Sequence, residues 1–363
     1  MKRLLIAGGG TGGHLYPGIA VAAEAVKEGI EVLFVGTAQG IEGRVVPREG
    51  FELKLIDAGR FKGMGASQKI KTLLSIPAGV AQAAGMIREF RPDAVLGVGG
   101  YASFPAVLAA RLAGKPVIIQ EQNAAPGLAN KWLGKIADRV CLGFQAGERS
   151  FPAKKCVLTG NPIRRGLLDV KKGDAQEAMG LQEDKITVLI TGGSGGASRI
   201  NRAVADALPR LSDMKDKIQF IHQTGQRDYD ETAAAYGRAG FTCRVMPYIY
   251  DMASAYACAD VVICRAGALT IAEVTALGKP AVLIPYPFAA DNHQEKNARE
   301  LEAAGAARVV LDRDATGERL ADEIRNLLSD AEALLGMKER SKALGRPEAA
   351  ASVLEVCRES ALA

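Results

Sequence analysis

His14 closes the run Gly8-Gly9-Gly10-Thr11-Gly12-Gly13-His14, and only two other histidines, His222 and His293, occur in the chain. An imidazole directly after a glycine turn stands where a phosphate-bearing ligand would lie. Near neutral pH it can take a proton from an attacking hydroxyl. A histidine that only hydrogen-bonds a phosphate or caps a helix is the plainer reading of the same position. A near echo of the turn, Gly192-Gly193-Ser194-Gly195-Gly196-Ala197, comes much later. Both turns follow short apolar runs, Leu4 to Ala7 and Thr187 to Thr191, and both precede amphipathic patterns. Strand, glycine turn and helix together aim unpaired N–H groups and the positive end of a helix dipole at an anion. Glycine is required because a Cβ would block both the tight turn and close approach to phosphate oxygens.

Further polar groups fall at other strand ends. Gly97-Val98-Gly99-Gly100-Tyr101-Ala102-Ser103 closes one apolar run and Gln120-Glu121-Gln122-Asn123 another. Arg265-Ala266-Gly267-Ala268-Leu269-Thr270-Ile271-Ala272-Glu273 reads as a small-residue turn opening a helix, a further anion site. Glu273 in its early turns has the reach to take two ribose hydroxyls, or it serves only as an acid favoured by the helix dipole. Asp291-Asn292-His293-Gln294 offers side-chain amides suited to sugar hydroxyls. Asp312-Arg313-Asp314 superficially matches a metal-binding D-x-D, but its distance from the glycine turns favours a solvated charge cluster.

The elements that must position these residues alternate, which implies parallel sheets covered on both faces. Strands are expected at 4–7, 31–35, 53–56, 94–98, 117–120 and 139–142, then at 186–191, 218–223, 243–246, 261–264, 281–284 and 308–311. The first helix is expected to begin near Pro17 and to end at Gly29. Thr159-Gly160-Asn161-Pro162-Ile163-Arg164 marks a domain boundary. Near the end, a short helix from Pro347 carries Ala350, Val353, Leu354 and Cys357 on one face. Gly8, Gly10 and Gly13 also fit the dinucleotide fingerprint, yet the second strand runs into Val35-Gly36-Thr37 without the acid that holds ribose hydroxyls. A nicotinamide dehydrogenase therefore lacks its most discriminating residue.

The 363 residues suit two domains better than one core. No apolar run approaches the roughly 20 residues of a membrane span, and the apolar start, which stops at Gly8, is too short for a secretory signal. Six scattered cysteines without metal-ligand spacing imply buried reduced thiols and a reducing cytoplasm. A net charge of +5 is too diffuse to indicate nucleic acid. Between Asp57 and Glu89 there is no acidic residue, while Arg60, Lys62, Lys69, Lys71 and Arg88 accompany Ile70, Leu73, Leu74 and Ile76. That composition suits contact with anionic lipid; a loop and helix whose aliphatics pack inward fits it as well.

Taken in order, Gly9 to His14, Gly99-Gly100-Tyr101, Glu121-Gln122-Asn123, Gly160 to Arg164, Gly192 to Ala197 and Arg265 to Thr270 resemble the MurG family of bacterial N-acetylglucosaminyltransferases, which convert lipid I to lipid II in peptidoglycan synthesis. The resemblance spans nearly the whole chain. It implies an α/β architecture of two Rossmann-like domains facing across a cleft (GT-B). It divides the chain into 1–163 on the acceptor and membrane side, 164–340 on the UDP-sugar side, and a C-terminal helix, 341–363, packed back on the first domain. The implied reaction is inverting transfer of N-acetylglucosamine from its UDP donor to the 4-hydroxyl of MurNAc-pentapeptide on undecaprenyl diphosphate. In that family's terms His14 is the catalytic base. Ser194 and its turn hold the diphosphate, Arg164 and the Ile249 backbone line the uracil pocket, and Ala268, Leu269 and Thr270 present N–H groups to phosphate. Glu273 takes the ribose and Gln294 the sugar. Thr11, Gly12, Gly13 and Asn123 complete the site from the first domain. No metal and no cofactor beyond the donor substrate is implied. The family also implies peripheral attachment to the cytoplasmic face of the cell membrane through anionic lipid, cell-wall and division proteins as partners, and no nucleic acid. A related GT-B enzyme acting on a glycerolipid or small acceptor, a UDP-N-acetylglucosamine epimerase, and a nucleotide-sugar binding module without turnover are the competing readings.

Overall fold

The computed structural model of the chain describes residues 1–57, 66–100 and 102–362, without the side chains of 66–75 and 165. Tyr101, Arg60 and Lys62, and the side chains of Lys69, Ile70, Lys71, Leu73 and Leu74, therefore lie outside the described residues. The chain divides into two units, one formed by Met1–Arg164 with Arg346–Ala363, the other by Arg165–Gly345.

In the first unit the strands are β1 (Arg3–Gly8), β2 (Glu31–Gly36), β3 (Glu52–Leu55), β4 (Ala94–Gly99), β5 (Val117–Glu121), β6 (Arg139–Leu142) and β7 (Cys156–Leu158). They pair in parallel in the order β3-β2-β1-β4-β5-β6-β7. Between them run α1 (Gly12–Lys27), α2 (Glu42–Arg48), α3 (Ala66–Phe90), α4 (Ser103–Leu112) and α5 (Leu128–Ile136). Alternation along β1 sends Leu4 and Ile6 to a core shared with α1, and Leu5 and Ala7 to an opposite core shared with α3 and α4. Both faces of the central strands are covered, which is why β1 and β4 are almost wholly apolar, whereas the edge strand β3 carries Glu52 and Lys54.

The second unit holds β8 (Ile186–Thr191), β9 (Ile218–Gln223), β10 (Cys243–Met246), β11 (Val261–Cys264), β12 (Ala281–Leu283) and β13 (Ala307–Val309), in the order β10-β9-β8-β11-β12-β13. Its helices are α6 (Lys172–Met179), α7 (Ser198–Ala207), α8 (Tyr229–Ala239), α9 (Met252–Cys258), α10 (Ala268–Ala276), α11 (His293–Ala303), α12 (Gly317–Ser329) and α13 (Ala331–Leu344). The last helix, α14 (Ala349–Leu362), belongs to the first unit. Its Ala350, Val353, Leu354 and Cys357 join the core under α1.

Three local expectations shift. The first helix starts at Gly12, not near Pro17, because Thr11 already takes the extended conformation of an N-cap and Pro17 lies buried inside the helix. Gly29, with φ +73°, follows as the left-handed terminator. The C-terminal segment of the first unit starts at Arg346, not 341, since α13 runs to Leu344 and a Cβ at Gly345 would stand 2.4 Å from the Thr275 carbonyl oxygen. The short, half-buried β7 has no counterpart among the expected strands. Among the described residues no helix is long and apolar enough to cross a membrane. Cys141, Cys258, Cys264 and Cys357 are buried and all six thiols are free. Burial pushes Cys141 and Cys264 up to about 12.

Candidate active site

Strand order reverses direction between β1 and β4 in the first unit and between β8 and β11 in the second. Such switch points are where open parallel sheets bind ligands, outside the carboxyl ends of the strands. Both glycine turns leave from them.

In the first unit the ends of β1 and β4 meet through glycine. Gly9 N–H donates to the Gly99 carbonyl at 3.1 Å. A Cβ on Gly99 would stand 2.6 Å from His14 Cδ2, and φ +90° excludes most side chains there. The imidazole therefore rests on bare backbone. Thr11 occupies the N-cap position, yet its hydroxyl makes no capping bond; Thr11 Oγ1 lies 3.1 Å from His14 Nδ1. With the proton on Nδ1 and donated to Thr11, Nε2 keeps the lone pair a base requires. The diverted hydroxyl leaves the first N–H groups of α1, at Gly12 and Gly13, without a side-chain cap.

Glu121 ends β5 and is 2% exposed. Burial pushes its carboxyl upward, against hydrogen bonds from the Asn123 and Gly127 N–H groups and the Asn130 amide. It anchors the loop that presents Asn123, whose N–H donates to it at 2.9 Å. Arg164 is the last residue of the first unit, and its guanidinium lies 5.3 Å from the Tyr16 ring centroid on α1. The other expected uracil-pocket residue, Ile249, is in the second unit.

In the second unit β8 and β11 run side by side to Thr191 and Cys264, which are register partners. The glycine turn leaves from the first and the Arg265 turn from the second. Gly193, Ser194 and Gly195 are exposed. Gly193 N–H is held by the Thr191 hydroxyl at 3.2 Å and Gly196 N–H by the Gly193 carbonyl at 2.9 Å. The turn packs so tightly on Thr224-Gly225 that a Cβ at Gly196 would stand 1.9 Å from the Thr224 carbonyl oxygen. Next to it, α10 opens at Ala268 after an extended Gly267, so Ala268, Leu269 and Thr270 supply its first N–H groups. Glu273, sixth in that helix and 9% exposed, accepts the Tyr256 hydroxyl at 3.0 Å.

Several contacts that brace these turns were not expected from the sequence. Gln223, 3% exposed, donates to the Gly193 carbonyl at 2.7 Å and accepts the Ile249 N–H at 3.0 Å. One carboxamide thus joins the glycine turn to the Ile249 loop and commits the Ile249 N–H. Arg265 pairs with Asp312 at 2.6 Å and donates to the carbonyls of Ile284 and Pro285. Asp312 is thus a partner of the turn and not part of a solvated cluster, whereas Arg313 and Asp314 are exposed. Gln294 commits its carbonyl oxygen to the Tyr286 N–H at 2.9 Å. The two residues Asp291 and Asn292 before that helix take left-handed φ of 52° and 53°, a region these types tolerate. His222 is buried at the end of β9, between the Tyr236 hydroxyl at 3.3 Å and Asn201 Oδ1 at 3.1 Å. Burial lowers it to about 3, so it serves as a neutral support. Among the described residues no group of three or more His, Cys, Asp or Glu side chains is placed to hold a metal ion.

The glycosyltransferase family 28 N-terminal domain matches residues 4–142 and the family's C-terminal domain matches 187–353. The chain belongs to glycosyltransferase family 28. It is 48% identical over 357 residues to the UDP-N-acetylglucosamine--N-acetylmuramyl-(pentapeptide) pyrophosphoryl-undecaprenol N-acetylglucosamine transferase of Syntrophus aciditrophicus, covering 98% of both chains. The protein of the same name from Geobacter metallireducens is 46% identical over 355 residues, 97% of each. The crystal structure of Acinetobacter baumannii MurG superposes with a TM-score of 0.80 at 33% identity, covering 99% of this chain and 100% of that one. The UDP-GlcNAc 2-epimerase of Neisseria meningitidis reaches a TM-score of 0.70 at 16% identity, over 99% of this chain and 100% of that one, and shares the fold alone. The family 28 chain is thus an α/β glycosyltransferase of GT-B class, with a parallel sheet in each domain.

Proposed function

We propose that this glycosyltransferase transfers N-acetylglucosamine from UDP-N-acetylglucosamine to the 4-hydroxyl of the muramic acid of an undecaprenyl-diphosphate-linked MurNAc-pentapeptide, lipid I, giving lipid II with inversion. The observation that carries the reading is the paired helix starts of the second unit. Two turns leave from register partners of neighbouring strands, and a largely buried carboxylate lies a turn into one of their helices. The second unit suits a nucleoside diphosphate, with N–H groups for the phosphates, Glu273 for the ribose hydroxyls and the Ile249 backbone for uracil, and the family resemblance adds Arg164 as a uracil residue. Gln294 takes the sugar, and Thr11, Gly12, Gly13 and Asn123 face the acceptor and transferred sugar. The names of the relatives at 46–48% identity support the same donor and acceptor.

The acceptor oxygen forms its bond to the anomeric carbon as the bond from that carbon to the UDP oxygen breaks. The acceptor proton passes to His14 Nε2, and the bonding pair leaves with UDP. Negative charge grows on the diphosphate during this step. N–H dipoles preorganised at a helix start favour that charge over the ground state, by ~10²–10³-fold per donor in comparable sites. A general base adds ~10²–10⁴-fold. No resident metal enters this account.

The acceptor carries a polyprenyl tail, so the enzyme works at the cytoplasmic membrane face. A described surface fits such a face. Leu128, Lys131, Trp132 and Lys135 share one side of α5 at helical spacing, with Leu128 71% and Trp132 57% exposed. The Lys135 ammonium lies 4.2 Å from the Trp132 ring centroid. An exposed tryptophan flanked by cations suits the boundary between headgroups and acyl chains. The deciding experiment offers radiolabelled UDP-N-acetylglucosamine with a polyprenyl-linked muramyl-pentapeptide, beside a glycerolipid control. Label in the muramyl product supports the reading. Label in the glycerolipid alone, or donor binding without transfer, overturns it.

A further inference from the structure

Glu42, the first residue of α2, is 1% exposed and enters the first glycine turn. Its Oε2 accepts the Gly10 N–H at 2.7 Å. Its Oε1 accepts the N–H and the hydroxyl of Thr37, each at 2.8 Å. Three glycines make the space. A Cβ at Gly40 would stand 1.9 Å and one at Gly9 2.5 Å from Oε2, and one at Gly36 would stand 2.5 Å from Cγ. No Cβ could be placed at these positions without moving the carboxylate. Its hydrogen-bond donors are the neutral N–H groups of Gly10 and Thr37 and the Thr37 hydroxyl, the kind of group with which glycine turns hold phosphate.

We propose that Glu42 is a positioning residue acting as a built-in anion. Its carboxylate fills the phosphate place of the first turn, and by holding Gly10 it fixes Thr11 and, through Thr11, the imidazole of His14. The proposal rests on the reading of His14 as the base. It accounts for an asymmetry between the turns. In the second turn, among the described residues, no carboxylate takes a turn N–H, and Gly193 to Gly195 stand open to a ligand. In the first turn the Gly10 N–H is spent on this acid, while the first N–H groups of α1 keep no side-chain cap. Glu42 therefore governs turnover without governing donor affinity.

The test uses the full chain with Glu42→Ala and the isosteric Glu42→Gln. Glu42→Ala should lower kcat by ~10²-fold, the cost of a misplaced reacting group, with the UDP Kd within about twofold of the parent. Formate, a carboxylate small enough for the vacated place, should restore at least ~10-fold of that loss with saturation. Amide hydrogen exchange of the first turn should quicken by ~10-fold in Glu42→Ala and slow again with formate, a readout independent of catalysis. Glu42→Gln keeps the Thr37 pair through its oxygen and turns an NH₂ on the Gly10 N–H. It should lose ~10-fold in kcat with unchanged UDP affinity, and it serves if the alanine variant does not fold. A folded variant with parental kcat and exchange, or a deficit in Glu42→Ala that formate leaves untouched, overturns the proposal. A parent chain that binds no UDP and transfers no sugar would fault the assigned reaction instead, and the exchange measurement would still decide Glu42.

Discussion

His14 stands out in the sequence by its place after a glycine turn, and the structure sets it on Gly99 beside the Thr11 hydroxyl. His14→Ala should therefore slow transfer by about 10²-fold or more while UDP affinity stays the same, and near-parental turnover in a steady-state assay would end its role as base. Glu273 was legible as a carboxylate early in a helix, but its burial and its Tyr256 partner were not. Glu273→Ala should weaken UDP binding by roughly tenfold, as expected for lost hydrogen bonds to a charged group, and calorimetry with UDP measures it. Glu42 escaped the sequence reading for a definite reason. A ribose-binding acid belongs at the end of the second strand, and Val35-Gly36-Thr37 supplies none. The acid present comes from the next helix and points back at Gly10. The glycines at 36 and 40 are the signal available, because both stand shortly before Glu42, outside any strand or helix interior.

At the scale of elements, the apolar runs located the central strands because both faces of these strands are buried. They missed β7, whose residues are only partly covered and leave no clear pattern. What no pattern shows is the link between loops distant in sequence. Gln223 ends β9 and ties the Gly193 carbonyl to the Ile249 N–H. Gln223→Glu can still accept from Ile249 but cannot donate to Gly193. It should raise the donor KM by about tenfold with little change in kcat, whereas a general loss of folding would lower the active fraction instead. The α5 face is a second feature that composition hid, since four surface residues do not bias an average. Replacing Lys131 and Lys135 with Glu should reduce binding to vesicles containing anionic phospholipid by about 1 kcal/mol per removed cation. Sedimentation with and without added salt is the check. Unaltered, salt-insensitive binding would move the membrane face elsewhere.

For the whole molecule, two domains of parallel sheet were readable from repeated turns and from length. The course of the chain was less so, because the return of α14 depends on packing that its apolar stripe only suggests. The second unit also carries a titration. His222 is held neutral by burial, at about 3 against an ordinary value of 6.5. Above 6.5 its contribution to stability is complete. As pH falls from 6.5 toward 3 the unfolded chain takes a proton that the folded chain refuses, so stability declines by up to about 1.4 kcal/mol per pH unit. Urea unfolding between pH 6.5 and 4 should show a steeper loss in the parent than in His222→Asn, even though that variant starts less stable at neutral pH. The course of the chain has a consequence for biosynthesis. The residues that finish the first sheet's covering, Val353, Leu354 and Cys357, follow the whole of the second unit in the chain, and each large aliphatic among them contributes ~1.5–3 kcal/mol when buried. The middle segment must therefore be made before the N-terminal half can close, whereas that segment, complete by Gly345, is free to fold while synthesis continues.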